Sequence, residues 1–271
     1  MNYTVNIRGR LLDLSKPQVM GILNVTPDSF YACSRMQTES EIRQRANQMV
    51  ADGAQIIDIG ACSTRPSSTP VDEAEEMRRL RMALEVVRRE LPNTPLSVDT
   101  FRPDVARMAV EEYGVDIVND VCEGQSQMLR MVSRLQVPYI LMSAQPTLRD
   151  TLMLFADRVQ QLRDLGQKDI ILDPGFGFGK TLEQNYILMS QLDKLHVMAL
   201  PLLVGISRKS MIYRLLEKSP DDALNGTTVL NTIALMKGAS ILRVHDVKEA
   251  VECVKIVRSL TPAPANSEIV K

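Results

Sequence analysis

A closed (β/α)8 barrel, the TIM-barrel form of α/β architecture with a short N-terminal β-hairpin closing its bottom, is the expected fold of this chain. Three observations lead there: eight short β-branched apolar runs, a helically spaced segment after each, and polar residues gathered at the C-terminal ends of the runs. The 271 residues suit one such domain over 1–271, because an α/β barrel occupies roughly 250 residues as a single unit.

The hairpin comes first, within residues 1–17. Tyr3-Thr-Val-Asn-Ile-Arg-Gly-Arg-Leu-Leu-Asp-Leu14 alternates polar and apolar residues and turns near Gly9. Runs at 19–24, 55–60, 96–99 and 116–120 supply the first four barrel strands, and runs at 139–142, 170–173, 202–206 and 241–245 the rest. Short, nearly continuous apolar runs are what parallel strands need when both of their faces are buried. Helices are expected at 39–51, 71–91, 103–113, 127–135, 151–165, 182–195, 211–216 with 227–236, and 247–260, each with apolar residues three or four apart. Pro103 suits a first helical turn, and Asn225-Gly-Thr-Thr228 reads as a helix start. The Pro-containing segment 261–271 is expected to be a frayed, flexible tail. Alternation alone also permits an open doubly wound sheet. Polar placement favours the barrel: Asn24, Asp58, Asp99, Asn119, Asp173, Lys209, Arg243 and His245 all fall at or just after strand ends, which a barrel joins into one mouth.

Composition excludes several function classes. Lys and Arg total 32 against 33 Asp and Glu, with no basic block, so nucleic acid is not an expected partner. No apolar run approaches the roughly 20 residues that cross a bilayer, and the first 17 residues carry no secretory pattern. A soluble, cytoplasmic protein is expected. Cys33, Cys62, Cys122 and Cys253 form no C-x-x-C pair, which fits reduced thiols, and two histidines leave little for a His-rich metal site. His196 reads as a surface or cap residue, and most of the 15 methionines, such as Met189 and Met198, as core filler.

The chemistry must therefore come from Asp, Asn, Lys and Arg. Carboxylates and amides converging on one mouth suit a nitrogen-rich heterocycle, whose ring nitrogens and exocyclic amine donate while its carbonyl accepts. Arg65, Lys209, Arg243 and His245 add cations for a phosphate or diphosphate. Gly175-Phe-Gly-Phe-Gly-Lys-Thr181 imitates a nucleotide loop, but Pro174 stands where Walker A needs glycine, and Lys180 where a dinucleotide fingerprint needs one. These glycines are expected to shape a loop after a strand. The acidic run Asp72-Glu-Ala-Glu-Glu76 reads as solvated charge at a helix start.

Met20-Gly-Ile-Leu-Asn-Val-Thr-Pro-Asp-Ser-Phe30, Asp58-Ile-Gly60, Ser63-Thr-Arg-Pro66, Ser97-Val-Asp-Thr100, Asn119-Asp120, Asp173-Pro-Gly-Phe-Gly-Phe-Gly-Lys180, Ser207-Arg-Lys-Ser210 and Arg243-Val-His245 together resemble the motifs of the dihydropteroate synthase family, in family order along nearly the whole chain. That family joins p-aminobenzoate to 6-hydroxymethyl-7,8-dihydropterin diphosphate with loss of diphosphate, and sulfonamides compete for the p-aminobenzoate site. The resemblance implies a pterin slot of Asp99, Asn119, Met142, Asp173, Gly205 and Lys209, with Arg243 against the ring face. It implies diphosphate contacts from Asn24, Thr64, Arg65, Arg243 and His245, with Asn24 also meeting a magnesium ion, and a p-aminobenzoate pocket of Phe30, Pro66, Phe178, Lys209 and Ser210. It further implies that Asp99, Asp173, Lys209, Arg65 and His245 carry catalysis, by stabilising departing diphosphate and a pterin-delocalised cation. Closing loops at 26–35 and 61–71 and a homodimer through late barrel helices follow from the same likeness.

Three departures separate this chain from the family pattern. Ala32 replaces a first-loop carboxylate within Asp28-Ser-Phe-Tyr-Ala-Cys-Ser34, which bears on loop closure. Ser143 stands where the family has histidine, and the connection from Met142 to Asp173 is short. Ala61-Cys62 replaces a Gly-Glu or Gly-Gln pair. A methyltetrahydrofolate-binding methyltransferase-like barrel and a non-catalytic pterin-binding module are the other readings. The anion motifs at 207–209 and 243–245 weigh against the first.

Overall fold

A computed structural model describes residues 3–25, 39–62 and 71–260. Strands β1 (Thr4–Ile7) and β2 (Arg10–Asp13) form the antiparallel hairpin, with Ile7 opposite Arg10. Arg8 (φ 49°) and Gly9 (φ 78°) both adopt left-handed backbone between them, as a two-residue type I′ turn requires. Eight parallel strands follow. They are β3 (Gln18–Asn24), β4 (Ile56–Gly60), β5 (Leu96–Asp99), β6 (Ile117–Asp120), β7 (Tyr139–Met142), β8 (Ile170–Asp173), β9 (Leu203–Val204) and β10 (Ile241–Val244).

Their hydrogen-bonded order is β8-β7-β6-β5-β4-β3-β10-β9. The ring closes where the Leu172 amide of β8 donates to the Pro201 carbonyl at 2.9 Å and Leu172 bridges Leu202, just before β9. An open sheet has no such closing contact, so the barrel is the fold. Around it run α1 (Glu39–Ala51), α2 (Glu73–Glu90), α3 (Pro103–Tyr113), α4 (Ser126–Leu135), α5 (Leu148–Asp164), α6 (Leu182–Ser190), α7 (Ser210–Tyr213), α8 (Leu224–Met236) and α9 (Val247–Leu260).

Strand alternation divides the core in two. Outward side chains such as Ile57, Val98, Val118, Leu141 and Leu242 pack against the helices. Inward side chains Met20, Ile56, Ile117, Ile140, Ile171, Leu203 and Ile241 fill the lower barrel and meet Val5, Ile7 and Leu14 of the hairpin segment, which plugs the base as expected. Two residues further along, each of these strands returns to the same inner face. There Asp58, Asn119, Met142, Asp173, Gly205 and Arg243 stand on six of the seven strands, while β3 keeps Ile22. The apolar floor thus fixes the height of a polar layer directly above it.

Several elements differ from expectation. The seventh barrel strand, expected over 202–206, is a regular strand only at Leu203–Val204, flanked by the Leu202 bridge to Leu172, and the backbone beyond turns into the loop that carries Lys209. The helix expected from 182 to 195 ends at Ser190, and a 3-10 turn at Leu192–Met198 follows. Helix α5 starts at Leu148 rather than 151, because the Thr147 side chain accepts the Asp150 amide as an N-cap. His196 does act as a cap, its Nε2 lying 2.9 Å from the Lys237 carbonyl at the end of α8, and Met189 is buried in the core. Among the described residues no helix is long and apolar enough to cross a membrane.

Candidate functional site

The polar layer is organised by one arginine. Arg243, on β10, donates through Nε to Asp58 Oδ2 at 2.6 Å and through Nη2 to Asp99 Oδ2 at 2.6 Å, reaching β4 and β5 across the mouth. Asn119 on β6 donates its Nδ2 to the same Asp58 oxygen at 3.1 Å. One guanidinium therefore serves two carboxylates. The Oδ1 atoms of Asp58 and Asn119 are buried without a protein partner among the described residues, which leaves two acceptors unanswered in the pocket wall. Gly60 makes room here: a Cβ on it would lie 3.3 Å from Asn24 Oδ1 and 3.4 Å from Asp99 Cβ.

The opposite side is built by the loop after β8. Asp173 accepts the Gly175 amide at 2.8 Å through Oδ1. Gly175, Gly177 and Gly179 have φ of 66°, 81° and 61°, and a Cβ on Gly175 would come within 2.1 Å of the Ser143 carbonyl, so only glycine fits there. These glycines shape the loop as the sequence suggests. Lys209, at the N-terminal edge of α7, donates Nζ to the Phe176 carbonyl, and its ammonium sits 4.5 Å from the Phe178 ring centroid. Ser210, the next residue, opens α7 half-buried.

Electrostatics follow from this packing. Burial pushes the Asp99 carboxyl up to about 7, against the pull of Arg243 and with Asp58 and Glu76 adding like charge. Burial also raises Asp173, which Lys209 partly offsets. Lys209 is lowered to about 8 by burial, with Asp173 opposing. Burial works against the Arg243 charge, but Asp58 and Asp99 more than answer it, so the guanidinium is held above the ordinary arginine range. His245 falls to about 3 through burial and then the cations Arg243, Arg208, Arg45 and Lys209, so its ring is neutral at pH 7. Its Nδ1 lies 3.0 Å from Ser207 Oγ.

Asn24, Asp99, Asn119, Met142, Asp173, Phe178, Gly205, Lys209, Ser210, Arg243 and His245 thus all lie at or beyond the C-terminal ends of barrel strands. Phe30, Ala32, Cys33, Thr64, Arg65 and Pro66 lie outside the described residues, as do the closing loops apart from their flanks. Asp58 is the residue that strand-end reading noticed but gave no role. Its partner Arg243 is 185 residues away, and the two meet because β10 pairs with β3 and β3 with β4.

Two sequence expectations need correction or refinement. The acidic run is not wholly solvated: Asp72 caps α2, but Glu76 is fully buried and accepts from Thr100 Oγ1 at 2.7 Å and from Arg102. Within 207–209, Arg208 is engaged by groups of the protein itself. It forms a two-point pair with Asp246 at 2.9 Å and 2.9 Å and also donates to the Pro220 and Asp221 carbonyls. In the short connection after β7, Ser143 is buried and its Oγ accepts the Gln145 amide at 3.2 Å. Glu123 holds the same connection through the Ala144 amide at 2.8 Å and Gln145 Nε2 at 2.9 Å.

Comparison with known proteins places this geometry in company. The family model for pterin binding enzymes matches residues 20–245. The dihydropteroate synthase of Escherichia coli K12 is 38% identical over 96% of this chain and 97% of its own length. The Bacillus subtilis dihydropteroate synthase is 37% identical over 90% and 89%. Among solved structures, the Yersinia pestis dihydropteroate synthase in complex with a sulfonamide drug superposes with a TM-score of 0.90 at 39% identity, covering 95% of this chain and 99% of that one. The Xanthomonas albilineans dihydropteroate synthase with 4-aminobenzoic acid gives 0.89 at 34% identity, covering 97% and 100%.

Proposed function

The chain belongs to the dihydropteroate synthases of the pterin-binding enzyme family, and from that membership we propose that its barrel mouth condenses 6-hydroxymethyl-7,8-dihydropterin diphosphate with p-aminobenzoate, giving 7,8-dihydropteroate and diphosphate. The single observation that carries the reading is the polar layer in which Arg243 joins Asp58, Asp99 and, through Asp58, Asn119. A pterin donates from its ring nitrogens and exocyclic amine and accepts at its carbonyl. The acceptors Asp173, Asp99 and Asn119 and the donor Lys209 match that pattern.

In the reaction the amine lone pair of p-aminobenzoate forms a bond to the pterin methylene carbon, the carbon–oxygen bond to diphosphate breaks, and the amine loses a proton. Positive charge spreads over the pterin as that bond weakens. Asp99 and Asp173, held in a water-poor mouth, stabilise the cation more strongly than solvated carboxylates could. Arg243, Asn24 and His245, with Thr64 and Arg65, receive the leaving diphosphate. Phe178, Lys209 and Ser210, with Phe30 and Pro66, hold p-aminobenzoate, and sulfonamides compete on the same wall.

The donor set suits magnesium in one way only. Among the described residues no three carboxylate, thiol or imidazole groups cluster, yet the Asn24 amide oxygen at the end of β3 is a hard, neutral ligand that fits a cation otherwise held by water and diphosphate. Bound there, magnesium would neutralise charge on the departing diphosphate. We further read the protein as cytoplasmic, in keeping with four cysteines that form no C-x-x-C pair. We also read it as a homodimer through the late helices, where Val229, Met236 and Ile256 are exposed. Light scattering on a sizing column tests the dimer.

Diphosphate release by purified protein, with dihydropterin diphosphate and magnesium, tests the activity. Release that requires p-aminobenzoate and yields dihydropteroate is expected. Tight pterin binding without release would instead support a non-catalytic pterin module.

A further inference from the structure

Ser207 follows the end of β9 and is 4% exposed. Its Oγ lies 3.1 Å from the backbone nitrogen of His245 and 3.0 Å from Nδ1 of the same residue's ring. The backbone N–H is a fixed donor, so Oγ accepts it. A hydroxyl then has one proton left to place and one lone pair free. Were Nδ1 protonated, Oγ would receive two N–H groups, and its own proton would be buried with no acceptor among the described residues. Were Nδ1 a bare lone pair, the hydroxyl would donate to it and every atom of the pair would be satisfied.

The geometry is held from three sides. Arg45 Nη2 donates to the His245 carbonyl at 2.6 Å, Ser207 fixes the His245 amide, and Arg208 grips the following residue, Asp246. The Arg208 amide is itself anchored on Thr227 Oγ1 at 3.0 Å. The loop after β9 and the exit of β10 are therefore tied together.

We propose that Ser207 is a positioning residue that holds His245 in the tautomer with its proton on Nε2, so that the neutral ring is a hydrogen-bond donor at that nitrogen. The consequence for catalysis rests on reading His245 as a diphosphate ligand. An anion's oxygens accept hydrogen bonds, so a neutral imidazole helps only in a tautomer that presents N–H. The opposite tautomer would offer a lone pair to the oxyanion and repel it.

The chain has only two histidines, which makes the test direct. Ligand-free protein labelled with 15N-histidine is examined at pH 7 by long-range 1H–15N correlation. His196, whose Nε2 faces the Lys237 carbonyl at 2.9 Å, serves as an internal Nε2–H reference and is assigned with His196→Gln. Wild-type His245 is expected in the Nε2–H pattern, retained in Ser207→Thr and lost or mixed in Ser207→Ala. A wild-type ring protonated on Nδ1, or a pattern indifferent to Ser207→Ala in a folded variant, overturns the proposal. In turnover, Ser207→Ala should raise KM for the dihydropterin diphosphate, and Kd for inorganic pyrophosphate, about tenfold, with KM for p-aminobenzoate within about twofold. A switched tautomer with unchanged pyrophosphate affinity would leave the positioning intact and overturn the assignment of His245 to diphosphate.

Discussion

The barrel has a buried ionic cluster at each end, and the two are built in opposite proportions. At the base, one carboxylate meets two arginines: Asp116 lies 2.6 Å from Arg8 and 3.2 Å from Arg88, and it also accepts the Leu96 amide at 2.8 Å. At the mouth, one arginine meets two carboxylates, Asp58 and Asp99. At the base, Arg8, Arg88 and the Leu96 amide all donate to Asp116 Oδ2, which ties the hairpin, α2 and β5 together. At the mouth a single guanidinium is shared by two carboxylates, burial with the like charges of Asp58 and Glu76 pushes Asp99 up to about 7 against the pull of Arg243, and Oδ1 of both Asp58 and Asn119 has no protein partner among the described residues. A fold gains nothing from that deficit. A ligand that arrives with N–H donors would fill it, which supports the mouth as the proposed binding end.

The largest expected effect breaks the mouth alone. Lys209→Ala removes the donor to the Phe176 carbonyl, the cation over Phe178 and the counter-charge to Asp173. It should lower kcat/KM by roughly a thousandfold or more, while the thermal midpoint stays within a few degrees because no apolar core is lost. Wild-type kcat/KM in a folded Lys209→Ala would remove the lysine from the mechanism. The mirror experiment is at the base. Asp116→Ala strands Arg88, which is 19% exposed, and should cost about 3 kcal/mol in urea unfolding while the folded protein keeps its kcat. Equal activity losses at the two ends would erase the contrast.

Asp99→Asn sharpens the comparison through pH. The folded carboxyl titrates near 7, well above its unfolded value of roughly 4. Between those values the folded state binds a proton that the unfolded chain does not, so the Asp99 contribution to stability grows as pH falls and is lost as pH rises through 7. Asn has no such dependence. The variant's stability relative to wild type should therefore decline between pH 7.5 and pH 5, measured in ligand-free protein. Activity at pH 7.5 should fall about a hundredfold. The opposite slope would mean that Arg243 outweighs burial at Asp99 and would remove the electrostatic distinction drawn for the mouth.

Much of the site was legible in the sequence because a barrel strand writes its inner face with period two. Ile56 announces Asp58, Ile171 announces Asp173 and Ile241 announces Arg243, each two residues on. What stayed hidden depends on distant partners. Glu76 looked like one more helix-start charge, and only its contacts with Thr100 and Arg102, in the loop after β5, show how it is held inside. Arg208 sits inside a motif that suggests anion binding, yet Asp246 across the barrel rim claims it. Element bounds failed where capping decided them. Thr147 starts α5 earlier than its apolar spacing does, and Gln191 ends α6 without a glycine or proline to signal it.

The smallest predicted effect concerns the seam between the short connection after β7 and the loop after β8. Lys180 donates to the carbonyls of Ser143, Gly175 and Phe178 at 3.0 Å, 3.0 Å and 3.2 Å. Burial lowers this ammonium to about 8, so at neutral pH it is predominantly charged and serves three acceptors at once. Lys180→Met keeps the apolar stem but leaves those carbonyls unbridged, which frees the backbone under the Phe178 ring while leaving Asp99, Asp173 and Arg243 in place. KM for p-aminobenzoate should rise about fivefold, with KM for the dihydropterin diphosphate nearly unchanged. A loss shared equally by both substrates would show that the loop after β8 supports the pterin slot as much as the p-aminobenzoate wall. The boundary between the two would then lie nearer Asp173 than Phe178.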